Sequence, residues 1–273
     1  MASKGIYAKA DGAWRNIKTL YVNVGGSWFK AYEGWNSATG GTVTDVDDYN
    51  GTGQKWRVHT FTSDGTFTVT NGSKPFRVLV VGGGGSNSNG GGGGGQVLHK
   101  PSESLTAQAY AVTVGGVNAS SKLGNLTAIA GGKGGGMNAI NNNGLFGGAG
   151  GSGASGGGGG GGSNGGGSGG SSSIGGYRGG GGSSNYPAPG GGGGGAGAGG
   201  GGGGAGNSRG GNGGPGVTND ITGSAVYYAA GHGGGSGQGT GNPGPGANGT
   251  GYRTGNTGCG GQPGIVIVAY QIG

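Results

Sequence analysis

Apolar positions concentrate in a few short stretches of this chain and are almost absent between them. Residues 1–35 contain an internal repeat: Ile6-Tyr7-Ala8-Lys9-Ala10-Asp11-Gly12-Ala13-Trp14-Arg15 recurs 14 positions on as Leu20-Tyr21-Val22-Asn23-Val24-Gly25-Gly26-Ser27-Trp28-Phe29. Each copy alternates strand-forming residues around Asp-Gly or Gly-Gly, which predicts a β-hairpin with a two-residue turn and positive φ at both turn positions. The register then sets Ile6 against Ile17, Lys9 against Trp14, Val22 against Phe29 and Asn23 against Trp28. Two small hairpins do not stand alone in water, so residues 1–35 are expected to be an attachment module, with Trp14 and Trp28 as its packing anchors.

Residues 36–56 are polar and turn-rich and read as a linker. Beyond them, Val58–Phe61 and Thr66–Thr70 flank a Ser63-Asp64-Gly65 turn, Phe76–Val81 ends in four consecutive apolar residues, and Tyr110–Val114 is a further strand candidate. A continuously apolar strand is one buried on both faces. The next such stretch is Ile265–Tyr270, at the end of the chain, and Phe76–Val81 is its natural neighbour. Residues 57–114 and 264–273 are thus expected to form a β-sandwich, with 115–263 inserted between its strands. No window repeats apolar residues at i, i+3, i+4 and i+7, so the fold class is all-β with essentially no α-helix.

Composition changes the picture of the insert. Glycine supplies 90 of 273 residues, while charged residues are 8%. Collagen needs glycine at every third position, whereas here it runs contiguously, as in Gly156–Gly162, Gly190–Gly195 and Gly199–Gly204. Ordering glycine costs about 1–2 kcal/mol per residue in backbone entropy, and there is almost no side chain to bury. What remains is the backbone, where each paired group contributes about 0.5–1.5 kcal/mol net. A left-handed helix of three residues per turn aims its amides and carbonyls outward and bonds none internally. Such helices, laid side by side, would pair every group with a neighbour and would place larger residues outward or in turns. Residues 115–263 are expected to be a polyglycine type II bundle of this kind. The alternative is a flexible glycine-serine linker, against which stand the return to an apolar closing strand and the regular alternation of glycine runs with compact non-glycine segments.

The formal charge is +7, too thinly spread over the glycine region for a nucleic-acid groove. Cys259 is the one cysteine, which excludes an internal disulfide. No apolar run approaches the length of a membrane span, so the chain is expected to be soluble, made without export and not inserted in a membrane. Asp45, Asp47 and Asp48 lack the glycine and bidentate glutamate of a calcium loop and read as a solvated acidic turn. His59, His99 and His232 show no metal spacing, and no serine lies in a nucleophile elbow. Neither catalysis nor a cofactor is expected.

Phe76-Arg77-Val78-Leu79-Val80-Val81-Gly82-Gly83-Gly84-Gly85, the Gly90–Gly95 run with Gln96-Val97-Leu98, Tyr110-Ala111-Val112-Thr113-Val114-Gly115-Gly116, and Gly264-Ile265-Val266-Ile267-Val268-Ala269-Tyr270 resemble the glycine-rich domain of phage tail proteins. The long insert is similar to the tail-fibre tip adhesins of T-even-like phages, although the tryptophan hairpins look more like repeats in minor tail proteins of other phages. The resemblance implies a receptor-binding protein of the virion, at a tail tip or tail fibre. Its partners would be a host outer-membrane protein or surface glycan and other tail proteins, and it would be a homotrimer or a single cap on a trimer. Loops on a rigid scaffold carry recognition, and tyrosine with arginine is the usual anchor. The expected contacts are Tyr177, Arg178, Asn185, Tyr186, Pro187, Arg209, Tyr227, Tyr228, Tyr252 and Arg253. Successive turns alternate ends, so about half of these are expected to lie at the sandwich and merely pack. The other readings are a structural tail component without receptor contact and an ice-binding polyglycine protein.

Overall fold

The computed structural model describes residues 7–10, 12–17, 19–139, 145–184, 189–197, 199–200, 210–235 and 261–272. Two hairpins open it, β1 (Tyr7–Ala10) with β2 (Ala13–Asn16) and β3 (Thr19–Val24) with β4 (Ser27–Glu33). Their registers pair Lys9 with Trp14, Val22 with Phe29 and Asn23 with Trp28, as the turn lengths require. Gly25 and Gly26 both have positive φ, 59° and 86°, the geometry that a two-residue hairpin turn matching strand twist demands. Ile6 and the Trp14 side chain lie outside the described part. Trp28 is 69% exposed.

Next come β5 (Ser37–Thr39), β6 (Thr42–Val46), β7 (Trp56–Phe61), β8 (Gly65–Asn71), β9 (Phe76–Val81), β10 (Val97–Glu103), β11 (Ala109–Thr113), β12 (Ser121–Leu123) and β13 (Leu126–Ala128). After two small hairpins, β14 (Met137–Ala139) with β15 (Leu145–Gly147) and β16 (Val217–Asn219) with β17 (Val226–Tyr228), the closing strand is β18 (Ile265–Gln271). One sheet has the order β10-β9-β18-β7-β6 and the other β13-β12-β11-β8-β5, with every pairing antiparallel. Among the described residues the only helical piece is a single 3-10 turn at Tyr49–Gly51. The fold is all-β.

β18 lies between β9 and β7, with Val266 opposite Val80 on one side and Phe61 on the other. Its alternate residues enter two different cores. Val266, Val268 and Tyr270 face the second sheet and pack with Phe67, Phe76 and Val112. Ile265, Ile267 and Ala269 face the other way and pack with Tyr49, Ile221 and Tyr228. A central strand with apolar cover on both faces reads as an unbroken apolar run, which is why β9 and β18 stand out in the sequence.

Two expectations need correction. Residues 36–56 are not simply a linker, because β5 joins one sheet and β6 the other. The chain crosses between sheets at Gly40 and Gly41, with φ of 113° and 63°, where an added Cβ would lie 2.1 Å from Thr66 O and 2.8 Å from Thr60 O. β7 and β8 flank the turn at 63–65 as expected and belong to opposite sheets, since β7 pairs with β18 and β6 while β8 pairs with β11 and β5. Second, strand pairing continues past residue 114 through β12 and β13.

A buried polar link ties the sheets at the same corner. The His59 Nδ1–H donates to Gly40 O at 2.7 Å, Nε2 accepts from the Tyr270 hydroxyl at 3.2 Å, and that hydroxyl accepts from the Ala38 amide at 3.0 Å. Both side chains are fully buried, so burial pushes the imidazole pKa down and the tyrosine pKa up. Asp45 pairs with Arg57, whose hydrogen bond holds the carboxyl below its ordinary range, and Asp47 pairs with Lys55.

Candidate functional site

The glycine region begins where β9 ends and returns where β18 begins. Its hydrogen bonds repeat every three residues. In the run 155–162, Ser155 and Gly158 donate to Gly94 and Gly91; Gly157 and Gly160 donate to Gly151 and Gly148; Gly156, Gly159 and Gly162 donate to Tyr177, Gly180 and Ser183. Its carbonyls follow the same period. Ser155 and Gly158 accept from Gly132 and Gly135, Gly157 and Gly160 from Gly170 and Gly167, and Gly156 and Gly159 from Gly194 and Gly191. Residues three apart therefore face the same neighbour. The run is ringed by six others: 90–95, 129–136, 147–153, 165–171, 178–183 and 190–195. Adjacent members of the ring are also bonded to each other, for example Gly93 to Gly132, Gly148 to Gly136, Gly150 to Ser168, Gly179 to Gly170, Gly180 to Gly192 and Gly91 to Gly191.

No side chain fits at the centre. A Cβ on Gly156, Gly157, Gly158, Gly159 or Gly160 would stand 1.9–2.1 Å from a carbonyl oxygen of a neighbouring run. At the periphery, every third residue turns to solvent, and there side chains return: Phe146, Ala149 and Ser152 on one run, Ser168 and Ser171 on the next, Asn212 and Pro215 on another. Amide side chains close gaps in the backbone lattice. Asn89 Oδ1 accepts from Gly161, Asn87 Oδ1 from Gly92, and Gln96 Oε1 from Ile129.

The bonding also orders the ends. Gly82 pairs with Gln96 at the sandwich and Gly85 with Gly93 further out, so the Ser86–Asn89 turn lies at the remote end. Following the pairs from run to run places β14–β15, the turn at 162–165, Ser184, Pro189 and Gly235 at that end as well. The turns at 153–155 and 171–177 and the β16–β17 hairpin lie at the sandwich end.

The expected recognition residues divide accordingly. Tyr177 and Arg178 are exposed, but they sit at the sandwich end, where Tyr177 O and Arg178 O accept from Gly156 and Gly200. Tyr227 is half-buried in β17. Tyr228, 1% exposed, is a core residue rather than a loop contact, because β17 presses it onto Leu79, Val81 and Ile267 of the sandwich. Asn185, Tyr186, Pro187, Arg209, Tyr252 and Arg253 lie outside the described residues. Ser86–Asn89 and Ser163–Asn164 are further polar turns at the remote end, each a compact polar break between two glycine runs.

A polar clamp fixes the β16–β17 hairpin to the sandwich. Arg77 donates to Asp220 and, at 2.8 Å, to the Tyr49 hydroxyl, which donates to Ile221 O; Asn50 donates to Asp220 Oδ2 at 2.8 Å. Tyr49 stacks on Trp56 with centroids 4.5 Å apart, and burial pushes its hydroxyl up to about 12. Burial opposes ionisation of Asp220, but Arg77 outweighs it and the carboxyl stays below its ordinary range. Among the described residues no group of three or more His, Cys, Asp or Glu is placed to hold a metal, and no helix is long and apolar enough to cross a membrane.

The family described as a glycine-rich domain matches residues 60–271. No curated protein and no solved structure matches the chain.

Proposed function

The chain belongs to the glycine-rich domain family, and we propose that it is a phage tail receptor-binding protein. On this reading its glycine runs are polyglycine II helices, and the turns remote from the sandwich meet the host surface. The observation that carries the proposal is the sorting of turns. One end is tied to the sandwich through Arg77, Asp220 and Tyr49, while the other gathers turns from several runs on a body held by periodic backbone bonds. Loops on a rigid support suit recognition, because binding does not then bear the entropy of ordering them.

The contacts fall to the remote turns and to Asn185, Tyr186, Pro187, Arg209, Tyr252 and Arg253, and no longer to Tyr177, Arg178, Tyr227 or Tyr228. The protein is a non-enzymatic component of a virion tail tip or tail fibre. Its partners are a host outer-membrane protein or surface glycan and other tail proteins. The N-terminal hairpins supply attachment, since Tyr7, Tyr21, Val24 and Trp28 are all more than half exposed there. The oligomer is a homotrimer or a single cap on one. The same exposed hairpins favour a second reading, a structural tail component that touches no receptor. An ice-binding face would need one short side chain repeated in register, and the outward row Phe146, Ala149, Ser152 lacks it.

Virions carrying the chain with residues 137–147 replaced by two glycines test the proposal. Assembly with adsorption reduced at least about thirtyfold, the loss of a binding hot spot, is the expected result. Normal adsorption overturns the receptor role, and failure to assemble favours the structural one.

A further inference from the structure

The two N-terminal hairpins repeat one sequence pattern but differ in their faces. In β1–β2, Tyr7 and Lys9 lie on one face, and Ala8, Ala10, Ala13 and Arg15 on the other. In β3–β4, Leu20, Val22 and Val24 lie on one face, and Tyr21 and Trp28 on the other. All of these residues are exposed. The second hairpin is thus apolar on both faces, whereas the first carries alanine and arginine on one of its two. A sheet must bury each apolar face against another element. The second hairpin is therefore suited to an inner layer and the first to an outer one.

A single copy does not provide that cover, since each hairpin pairs with no other described strand and both faces of β3–β4 stand in water. One flat foreign surface would cover one face and leave the other wet. A further copy of the chain supplies both layers, because the 14-residue repeat gives every copy one hairpin of each kind. Charge does not oppose the contact: residues 19–33 hold Lys30 and Glu33, and residues 6–17 hold Lys9, Asp11 and Arg15. Tyr7, Leu20, Tyr21, Val22, Val24 and Trp28 are 37–69% exposed. With a fully exposed aromatic at roughly 200 Å2, they leave about 600 Å2 of apolar side chain uncovered per copy. Interfaces are about 60% apolar, so covering them would bury about 1,000 Å2 per copy, more than the about 800 Å2 per partner of a stable complex.

The hairpins are also firmly mounted. Asn36 Nδ2 donates to Lys74 O and its Oδ1 accepts from the Lys74 amide, both at 2.8 Å, and Asn71 donates to Trp35 O at 2.7 Å. The Lys74 ammonium lies 3.6 Å from the centre of the Trp35 ring. The chain leaving β4 is thus pinned at the turn before β9, whose other end, six residues on, opens into the glycine body. Contacts made by the hairpins leave the remote turns free.

We infer that the hairpins join copies of this chain, with β3–β4 of each copy in the inner layer and β1–β2 in the outer. This association stands whether or not the remote turns meet a receptor. Sedimentation equilibrium of the full chain at micromolar concentration should give the mass of more than one copy. Val24→Lys and Trp28→Lys, on opposite faces of β3–β4, should each raise the dissociation constant at least about thirtyfold, as loss of a central anchor does. Val24→Thr, which keeps a strand-forming residue and removes apolar surface, should act in the same direction. Ala10→Lys, on the outward face of β1–β2, should change the constant no more than about twofold. Equal hydrogen-exchange protection of Val78–Val81 in all four variants shows that the sandwich is intact. A monomer at every concentration overturns the inference, as does an oligomer that the Val24 and Trp28 variants leave unchanged. Dissociation by Ala10→Lys as strong as by Val24→Lys overturns the assignment of layers.

Discussion

Phe76 and Gly158 are both buried, one in the sandwich and one in the glycine body, and they are buried for different reasons. Phe76 fills space between sheets and meets Phe67 and Tyr270 edge to face, at 6.1 and 5.3 Å. Its contribution is apolar area removed from water. Gly158 removes almost none. It donates to Gly91 at 2.7 Å and accepts from Gly135 at 2.8 Å, and its part is to let three runs approach closely enough for those bonds. The sandwich core tolerates apolar side chains that keep its volume, whereas the glycine body tolerates none at its centre and almost any at its rim. Order in a chain therefore does not require apolar side chains if every backbone group finds a partner.

The sharpest way to break that contrast is Gly158→Ala. Its Cβ would lie 2.0 Å from Gly191 O, so two runs must separate and strand their amides. A loss above about 4 kcal/mol is expected, in the range reserved for such disruptions, measured by chemical denaturation. Phe76→Ala should cost about 3–5 kcal/mol by cavity formation, with the loss read in the same experiment.

Acid separates the regions less strongly. His59 in the sandwich, His99 beside the clamp and His232 in the glycine body all have pKa values pushed below 6.5 by burial. A base with a depressed folded pKa binds protons in the unfolded chain first. Its stabilisation is complete above 6.5 and is lost as pH falls from there towards the folded value. Stability measured between pH 7 and 5 should decline, and His59→Gln should make that decline shallower. An unchanged slope would contradict burial of a neutral His59. The smallest effect is expected at the rim, where a Cβ on Gly181 meets nothing nearer than Gly167 O at 3.5 Å. Gly181→Ala should shift stability by no more than about 0.5 kcal/mol.

How much of this could be read from the sequence follows from the same contrast. Continuous apolar runs revealed β9, β18 and their pairing, and turn length revealed the hairpin registers, because apolar burial and turn geometry leave signatures in residue type. β5 and β6 were hidden. Thr42-Val43-Thr44 sits on an exposed edge among polar turns, and the Gly40–Gly41 crossing is visible only once both sheets exist. In the glycine body the existence of runs was legible, but the direction of each was not, since backbone bonds do not depend on residue type. Hence Tyr177 and Tyr228 read as loop anchors although they lie at the sandwich. Two signals were available. Val217 and Val226 bracket Asp220-Ile221, which suits a hairpin with something to bury. The three-residue spacings Phe146-Ala149-Ser152 and Asn212-Pro215 mark outward positions.

Amide hydrogen exchange, resolved residue by residue, tests the central claim most directly. If periodic backbone bonds alone hold the glycine body rigid, the amides of Gly156–Gly162 will exchange as slowly as those of Val78–Val81 in β9, within about tenfold, as members of one cooperative unit. Exchange of Gly156–Gly162 at random-coil rates while Val78–Val81 stay protected would contradict it.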